Sequence, residues 1–330
     1  MRVVVVGAGV IGSFNAARLL SGGVDVTILA RGRRLAALRE SGVVLEDWRS
    51  GRRSVTRVPV VDRIDPGARY DLAVVAVRRN QIPSVLPLLA EVPDIPSVLF
   101  LGNNLAGSSD MAAALDGARV LTGMANAGGQ RDGVVVRYIW SRRLKLVFGD
   151  RDGIVRARTR AIADLFSGAG LPARAVGDAE AYQKTHGAGL PAFAGALYSA
   201  GGDVRLLSRR RDLLHLFVAG YREALDALRA DGTAIRPRLT RAVVWTPERL
   251  LHIGLRRFLD SELAVVGGQA HVLAAHDEMR ELAEELRVIL RRSGVPSPAN
   301  DRAYAAIAAW GSGSGTPGST APRHPDVEER

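Results

Sequence analysis

An apolar run from Val3 to Val6 leads directly into Gly7-Ala8-Gly9-Val10-Ile11-Gly12, and that spacing leaves the chain few folds to choose from. The run reads as a buried strand, and the glycines as the turn from it into a helix. Each glycine answers a different steric demand. Gly7 makes the tight turn, Gly9 lets backbone approach a pyrophosphate, and Gly12 lets helix pack closely on strand. Helix-spaced apolar residues follow (Ile11, Phe14, Ala17, Leu19) and stop at Gly22-Gly23, and a second strand runs from Val24 to Ala30. The product is a βαβ unit whose helix N-terminus, at Ala8 to Ile11, favours negative charge.

About 20 residues beyond such a turn, an NAD-binding chain carries an acidic residue for the ribose 2′-hydroxyl. Here the second strand ends at Arg31, with Arg33 and Arg34 close behind. A planar, permanently charged guanidinium suits a 2′-phosphate, so the expected cofactor is NADP(H).

Strands and helices alternate through the first half, as in a doubly wound α/β sheet. Strands are expected over 71–77, 97–101, 120–124, 134–139 and 144–148, the last two as a hairpin, with helices over 81–90, 105–115 and 154–166 and a short strand near 173–176. Beyond Gly177 the pattern is helical throughout: 179–197 with Asp178 as N-cap, 212–230, then 262–292 as one helix or two joined at Gly267-Gly268, and 301–310. The expected organisation is a Rossmann-like domain over 1–176, an all-α domain over 177–310 for substrate and dimerisation, and a disordered Gly/Ser/Pro-rich tail over 311–330.

Composition narrows the chemistry. There is no cysteine, which excludes disulfides, thiolate nucleophiles and cysteine-ligated metals and suits the cytoplasm. No apolar run is long enough for a membrane span. The net charge of +11 comes from arginines scattered in pairs with few aromatics among them, which argues against nucleic-acid binding. Of 45 basic side chains only Lys145 and Lys184 are lysines, and a lysine, unlike an arginine, exchanges a proton near neutral pH when desolvated.

Several stretches, in order along the chain, are similar to the ketopantoate reductase family. Thr27 to Gly32 with Leu35, Leu38 and Gly42 resembles its segment after the second strand. Val74-Val75-Ala76-Val77-Arg78-Arg79-Asn80-Gln81 resembles the strand end where a lysine and a glutamine flank the cofactor, Arg78 standing for the lysine and Gln81 for the glutamine. Leu101-Gly102-Asn103-Asn104 resembles an Asn-Gly turn whose asparagine, here Asn103, lies near nicotinamide and substrate. Gly128 to Val134 is similar to the loop before a late hairpin, and Tyr182-Gln183-Lys184-Thr185 to the helix bearing the catalytic lysine. The resemblance implies NADPH-dependent reduction of 2-dehydropantoate to pantoate by a Rossmann domain joined to a helical one, with Glu278 as the substrate-binding glutamate.

The chemistry asks for such a lysine on its own account. Hydride addition to a carbonyl makes an oxyanion, which needs a donor and then a proton, and Lys184 on the first helix of the second domain could supply both. The chain departs from the family where asparagines are expected four and eight residues after the lysine. Ala188 and Ala192 stand there, and Val266 replaces a serine. A bulkier ketone or an imine is therefore an alternative substrate class for the small-molecule carbonyl site, and a non-catalytic NADP(H) sensor or scaffold a third reading. His186, two residues from Lys184, is expected to point away from it. His271 and His276, five apart, splay, so no metal is expected. A homodimer through the helical domain is the expected assembly.

Overall fold

A computed structural model describes residues 1–311, so the expected tail, apart from Gly311, lies outside the described residues. The twelve strands are β1 (Arg2–Val6), β2 (Asp25–Leu29), β3 (Val43–Asp47), β4 (Arg53–Thr56), β5 (Val60–Val61), β6 (Leu72–Val75), β7 (Val98–Leu101), β8 (Val120–Met124), β9 (Ala127–Asp132), β10 (Val135–Trp140), β11 (Leu146–Asp150) and β12 (Ala173–Ala175). Eight form one sheet in the order β12-β11-β8-β7-β6-β1-β2-β5. Its strands run parallel from β8 to β5, while β11 and β12 run against them.

The chain leaves β1 toward β2 on one side and returns to β6 on the other. That reversal opens a crevice at the carboxyl ends of β1 and β6, where doubly wound sheets bind ligands. Successive side chains of β1 go to opposite faces, as a strand's period of two requires. Val3 and Val5 pack with Phe14 and Ile28 on one face, Val4 and Val6 with Ile82 and Leu89 on the other. The flanking helices are α1 (Val10–Ser21), α2 (Gly32–Ser41), α3 (Ile82–Ala90), α4 (Ser109–Leu115) and α5 (Ala157–Gly168).

The rest is helical: α6 (Ala179–Gly187), α7 (Gly189–Ser199), α8 (Val204–Arg209), α9 (Arg211–Ala230), α10 (Ala242–Trp245), α11 (Glu248–Leu259), a π-helical segment Leu263–Gln269, α12 (Ala270–Ala274), α13 (His276–Ser293) and α14 (Pro298–Gly311). Small residues let these helices touch. A Cβ on Gly195 of α7 would lie 2.5 Å from Cα of Ala303 in α14, and one on Gly220 of α9 would lie 2.9 Å from the Cβ of Ala192.

Several expectations are corrected. The hairpin is β9–β10, turning at Gly133 (φ +56°), and β11 leaves it to join the main sheet. The hairpin joins β3 and β4 in a second sheet, β4-β3-β10-β9, whose first two strands are too short and mixed to signal themselves in sequence. The expected helix over 105–115 begins only at Ser109, because Gly107 adopts φ +86° and Asn104 bonds its own loop at Gly107 through both amide atoms. The helix over 179–197 breaks at Ala188, since Pro191 has no N–H to bond the carbonyl of Gly187. Asp178 does occupy the N-cap position but makes no cap bond, its carboxylate being paired with Arg236. The long C-terminal helix divides at Ala275 (φ −130°, ψ 43°) rather than at Gly267-Gly268. Those glycines lie in the π segment, where a Cβ on Gly128 would come within 2.9 Å of Gly267.

The sheet is tied to the helices by a buried ion pair. Arg79, just past β6, gives its Nε to Glu285 of α13 at 2.5 Å and Nη1 to Asp110 of α4 at 3.0 Å, and both Arg79 and Glu285 side chains are 8 % exposed. The other Glu285 oxygen accepts the N–H groups of Leu105 and Ala106 at 2.8 and 3.1 Å. Removing one partner of a buried pair strands the other charge. Glu285→Ala is accordingly expected to lower unfolding stability by about 3–5 kcal/mol, measured by denaturant titration, whereas a loss under about 1 kcal/mol would mean the pair is effectively solvated.

Candidate active site

The glycine turn has the geometry its spacing predicts. Gly7 adopts φ +102°, and a Cβ there would sit 2.7 Å from the Ala76 carbonyl oxygen. A Cβ on Gly12 would sit 1.9 Å from the oxygen of Gly7, so strand and helix meet through these two positions. Above Gly9 a Cβ would meet nothing within 4 Å. That open face lies at the start of α1, whose first turn, from Val10 and Ile11, carries no acidic residue. Free N–H groups and the helix dipole there suit a phosphate.

Arginines surround this turn. Arg31 begins α2 as its extended N-cap, exposed, and among the described residues its guanidinium has no hydrogen bond or ion pair. Arg34, which the sequence pattern marks only as one more basic residue after β2, lies across the turn. Its Nε bonds the Ala8 carbonyl and its Nη2 the Ser13 hydroxyl, each at 3.0 Å. Arg34 is pushed down to about 10 by burial and by the nearby charge of Arg131. Two guanidiniums facing each other with only neutral acceptors make a place that an anion would relieve.

At the end of β6 the arrangement differs from the expected one. Arg78 spans to the helical region, bonding Asp277 at 3.0 Å and the Ala274 carbonyl at 2.6 Å. Gln81 folds back and its side-chain oxygen accepts the Arg78 N–H at 3.2 Å. Arg78 thus holds the sheet edge against α12 and α13, braced locally by Gln81, and its charge is already matched by a carboxylate.

Beyond β7, Asn103 and Glu278 do come together. Asn103 Nδ2 donates to Glu278 Oε1 at 3.3 Å and lies 3.5 Å from His271 Nε2. Glu278 is 2 % exposed, and its Oε2 stands 3.4 Å from His271 Nε2 without a hydrogen bond. Burial lowers the pKa of His271, opposed by Glu278 and reinforced by Arg78. His186 keeps access to solvent, yet the protein atoms crowding it and the neighbouring His271 hold its imidazole below the ordinary range. His276 turns elsewhere, to the Ile307 carbonyl at 2.8 Å.

Lys184 is half-buried on α6 beside the loop after β7. A Cβ on Gly107 would be 3.7 Å from its Nζ, and the ammonium has no hydrogen bond or ion pair among the described residues. Gln183 anchors the helix next to it, donating to the carbonyls of Gly102 and Gly123 at 3.0 and 2.8 Å. Ala188 and Ala192 are fully buried, and Ala192 abuts α9 at Gly220. Both side chains belong to the packing of the helical region.

Sequence reasoning passed over Arg79, Glu285 and Asn126. The amide of Asn126, just past β8, is 2 % exposed with neither its nitrogen nor its oxygen paired, a costly state that a ligand would relieve. Only its position at the end of an apolar strand marks it in the sequence.

Residues 3–153 match the family model described as ketopantoate reductase PanE/ApbA. A 2-dehydropantoate 2-reductase of Halobacterium salinarum is 33 % identical over 175 residues, 52 % of this chain and 56 % of that protein. The chain spans about half the length of the curated relatives it matches. Among solved structures, 2-dehydropantoate 2-reductase from Geobacter metallireducens superposes with a TM-score of 0.77 at 17 % identity, covering 94 % of this chain and 99 % of that one. A D-mandelate dehydrogenase in a ternary complex with NADH and anilino(oxo)acetate superposes at 0.74 and 14 % identity, covering 94 % and 98 %.

The open space over Gly9 separates binding from folding. Gly9→Val is expected to leave thermal stability within a few degrees of the parent while weakening NADPH at least roughly tenfold, about 1.4 kcal/mol, by fluorescence titration. Unchanged affinity would place the pyrophosphate elsewhere.

Proposed function

Residues 3–153 belong to the ketopantoate reductase PanE/ApbA family, and from that membership we propose that the chain is an NADPH-dependent reductase of a 2-oxo acid of the 2-dehydropantoate type. The observation that carries the reading is the Asn103–Glu278 hydrogen bond at one end of the loop that leaves β7, with the Lys184 ammonium, unpaired among the described residues, beside Gly107 of the same loop. The turn from Gly7 to Gly12 holds the pyrophosphate, and Arg31, free of any carboxylate, takes the 2′-phosphate. Arg34 and Arg131 add positive potential beside it.

When bound, the dihydronicotinamide supplies a hydride to the substrate carbonyl carbon. Lys184 stabilises the negative charge that grows on the carbonyl oxygen and then gives that oxygen an Nζ proton. Asn103 orients the reacting groups, and Glu278 accepts a polar hydrogen of the substrate. Because Ala188 and Ala192 are spent on helix packing, the structure lends nothing to a bulkier substrate. The exposed apolar side chains Leu239, Trp245, Leu250, Ile253 and Phe258 support a homodimer through the helical region.

Reduced-nicotinamide consumption with ketopantoate and other 2-oxo acids tests the activity. Lys184→Ala is expected to lower kcat/KM by about 10²–10⁴-fold with NADPH affinity kept, and full activity would remove its acid role. Arg31→Glu is expected to weaken NADPH roughly tenfold or more, the worth of a charged hydrogen bond, with NADH affected less. Cofactor binding with no turnover across the panel would favour a non-catalytic sensor.

A further inference from the structure

The cleft contains a histidine that the assigned chemistry leaves unused. His271 of α12 has a side chain 34 % exposed, and its Nε2 faces the hydrogen-bond-free Oε2 of the buried Glu278 at 3.4 Å. The charged and titratable groups that act on it are Glu278 from α13, Arg78 from the end of β6, itself paired with Asp277, and His186 from α6. The π segment before α12 has no charged residue. β9 carries its charges, Arg131 and Asp132, at the end nearest its hairpin turn.

A 2-oxo acid brings a carboxylate as well as a carbonyl into this space. Lys184 is committed to the carbonyl oxygen, Arg78 is neutralised by Asp277, and the amides that asparagines at 188 and 192 would offer are absent. We propose that His271 is a specificity-determining residue that takes up a proton as substrate binds, its imidazolium bridging Glu278 through Nε2–H and the substrate carboxylate through Nδ1–H. No covalent bond changes in this step; one proton passes from solvent to the ring.

This inference rests on the 2-oxo acid reading above. The sign follows from linkage. In the free protein burial holds the His271 imidazole below its ordinary range, opposed by Glu278 and reinforced by Arg78. An anion against the ring raises its pKa, so affinity is strongest below the free pKa, falls by up to tenfold per pH unit between the free and bound values, and is flat above the bound one. Glu278, already opposite the ring, holds the imidazolium in place once formed.

The test uses oxamate, an unreactive 2-oxo acid analogue, titrated into the full chain saturated with NADPH. Calorimetry at about pH 7.5 in two buffers of different ionisation enthalpy counts protons. Uptake approaching one proton is expected, with oxamate affinity falling as pH rises. In His271→Gln the uptake should vanish and the affinity become weaker and independent of pH, while His186→Gln should retain both. Wild-type binding without proton uptake overturns the role of His271 and leaves the reductase reading standing. Uptake that survives in His271→Gln and disappears in His186→Gln also overturns it. Should His271→Gln fail to fold, His271→Asn takes its place, and proton uptake lost in His186→Gln overturns the proposal. Failure of the wild type both to bind oxamate and to reduce any 2-oxo acid overturns the reading and this inference together.

Discussion

Arg79 and Glu285 hold the site together. Each is nearly excluded from water, each would be severely penalised alone, and they come from opposite parts of the molecule: the end of a central strand and the middle of α13. Glu285 lies seven residues, two helical turns, from Glu278, so both occupy one face of α13. Fixing the first against the sheet sets the second beside Asn103. The same Glu285 carboxylate fastens the Leu105–Ala106 backbone, and with it the loop that borders Lys184. One buried pair thereby fixes Glu278 beside Asn103 and holds the loop that borders Lys184.

The electrostatics divide along this line. Around the glycine turn, Arg31, Arg34 and Arg131 present positive charge near an open helix terminus, and among the described residues no carboxylate pairs with them. Around Asn103, charges are matched or buried: Arg78 with Asp277, Arg79 with Glu285 and Asp110, and Glu278 against His271. Excess charge of the first kind attracts anions at long range, whereas buried polar groups of the second kind discriminate by the cost of being left unpaired. The Arg34 guanidinium, depressed to about 10, is the clearest sign of the first regime.

The glycine turn, the parallel strands and the helical second half were legible because their causes are local. The close approach of Gly12 to the Gly7 carbonyl spans five residues, the positive φ of Gly7 is a property of that one residue, and alternating burial along β1 follows from the pleat. The second sheet was not legible, since β3 and β4 gain their stability only by pairing with a hairpin some ninety residues away. Arg78 illustrates the same limit: its type and position suggested phosphate, and nothing local announces its ion pair with Asp277, 199 residues distant. Ala188 and Ala192 read from sequence as lost substrate contacts, and no local pattern showed that both would be fully buried, with Ala192 against α9.

The sequence by itself determined the opening βαβ unit and its glycine turn, which act through backbone sterics over short range, and it marked Arg31 where an acidic residue is otherwise expected. It also marked Lys184, Asn103 and Glu278 by residue type. Only the tertiary structure decided which of the marked groups meet. It joined Asn103 to Glu278, diverted Arg78 to an interdomain clasp, and set His271 and His186 in the cleft. The reason is that contacts between residues more than a hundred positions apart depend on how helices pack and where buried charges find partners, and neither is written in any local pattern.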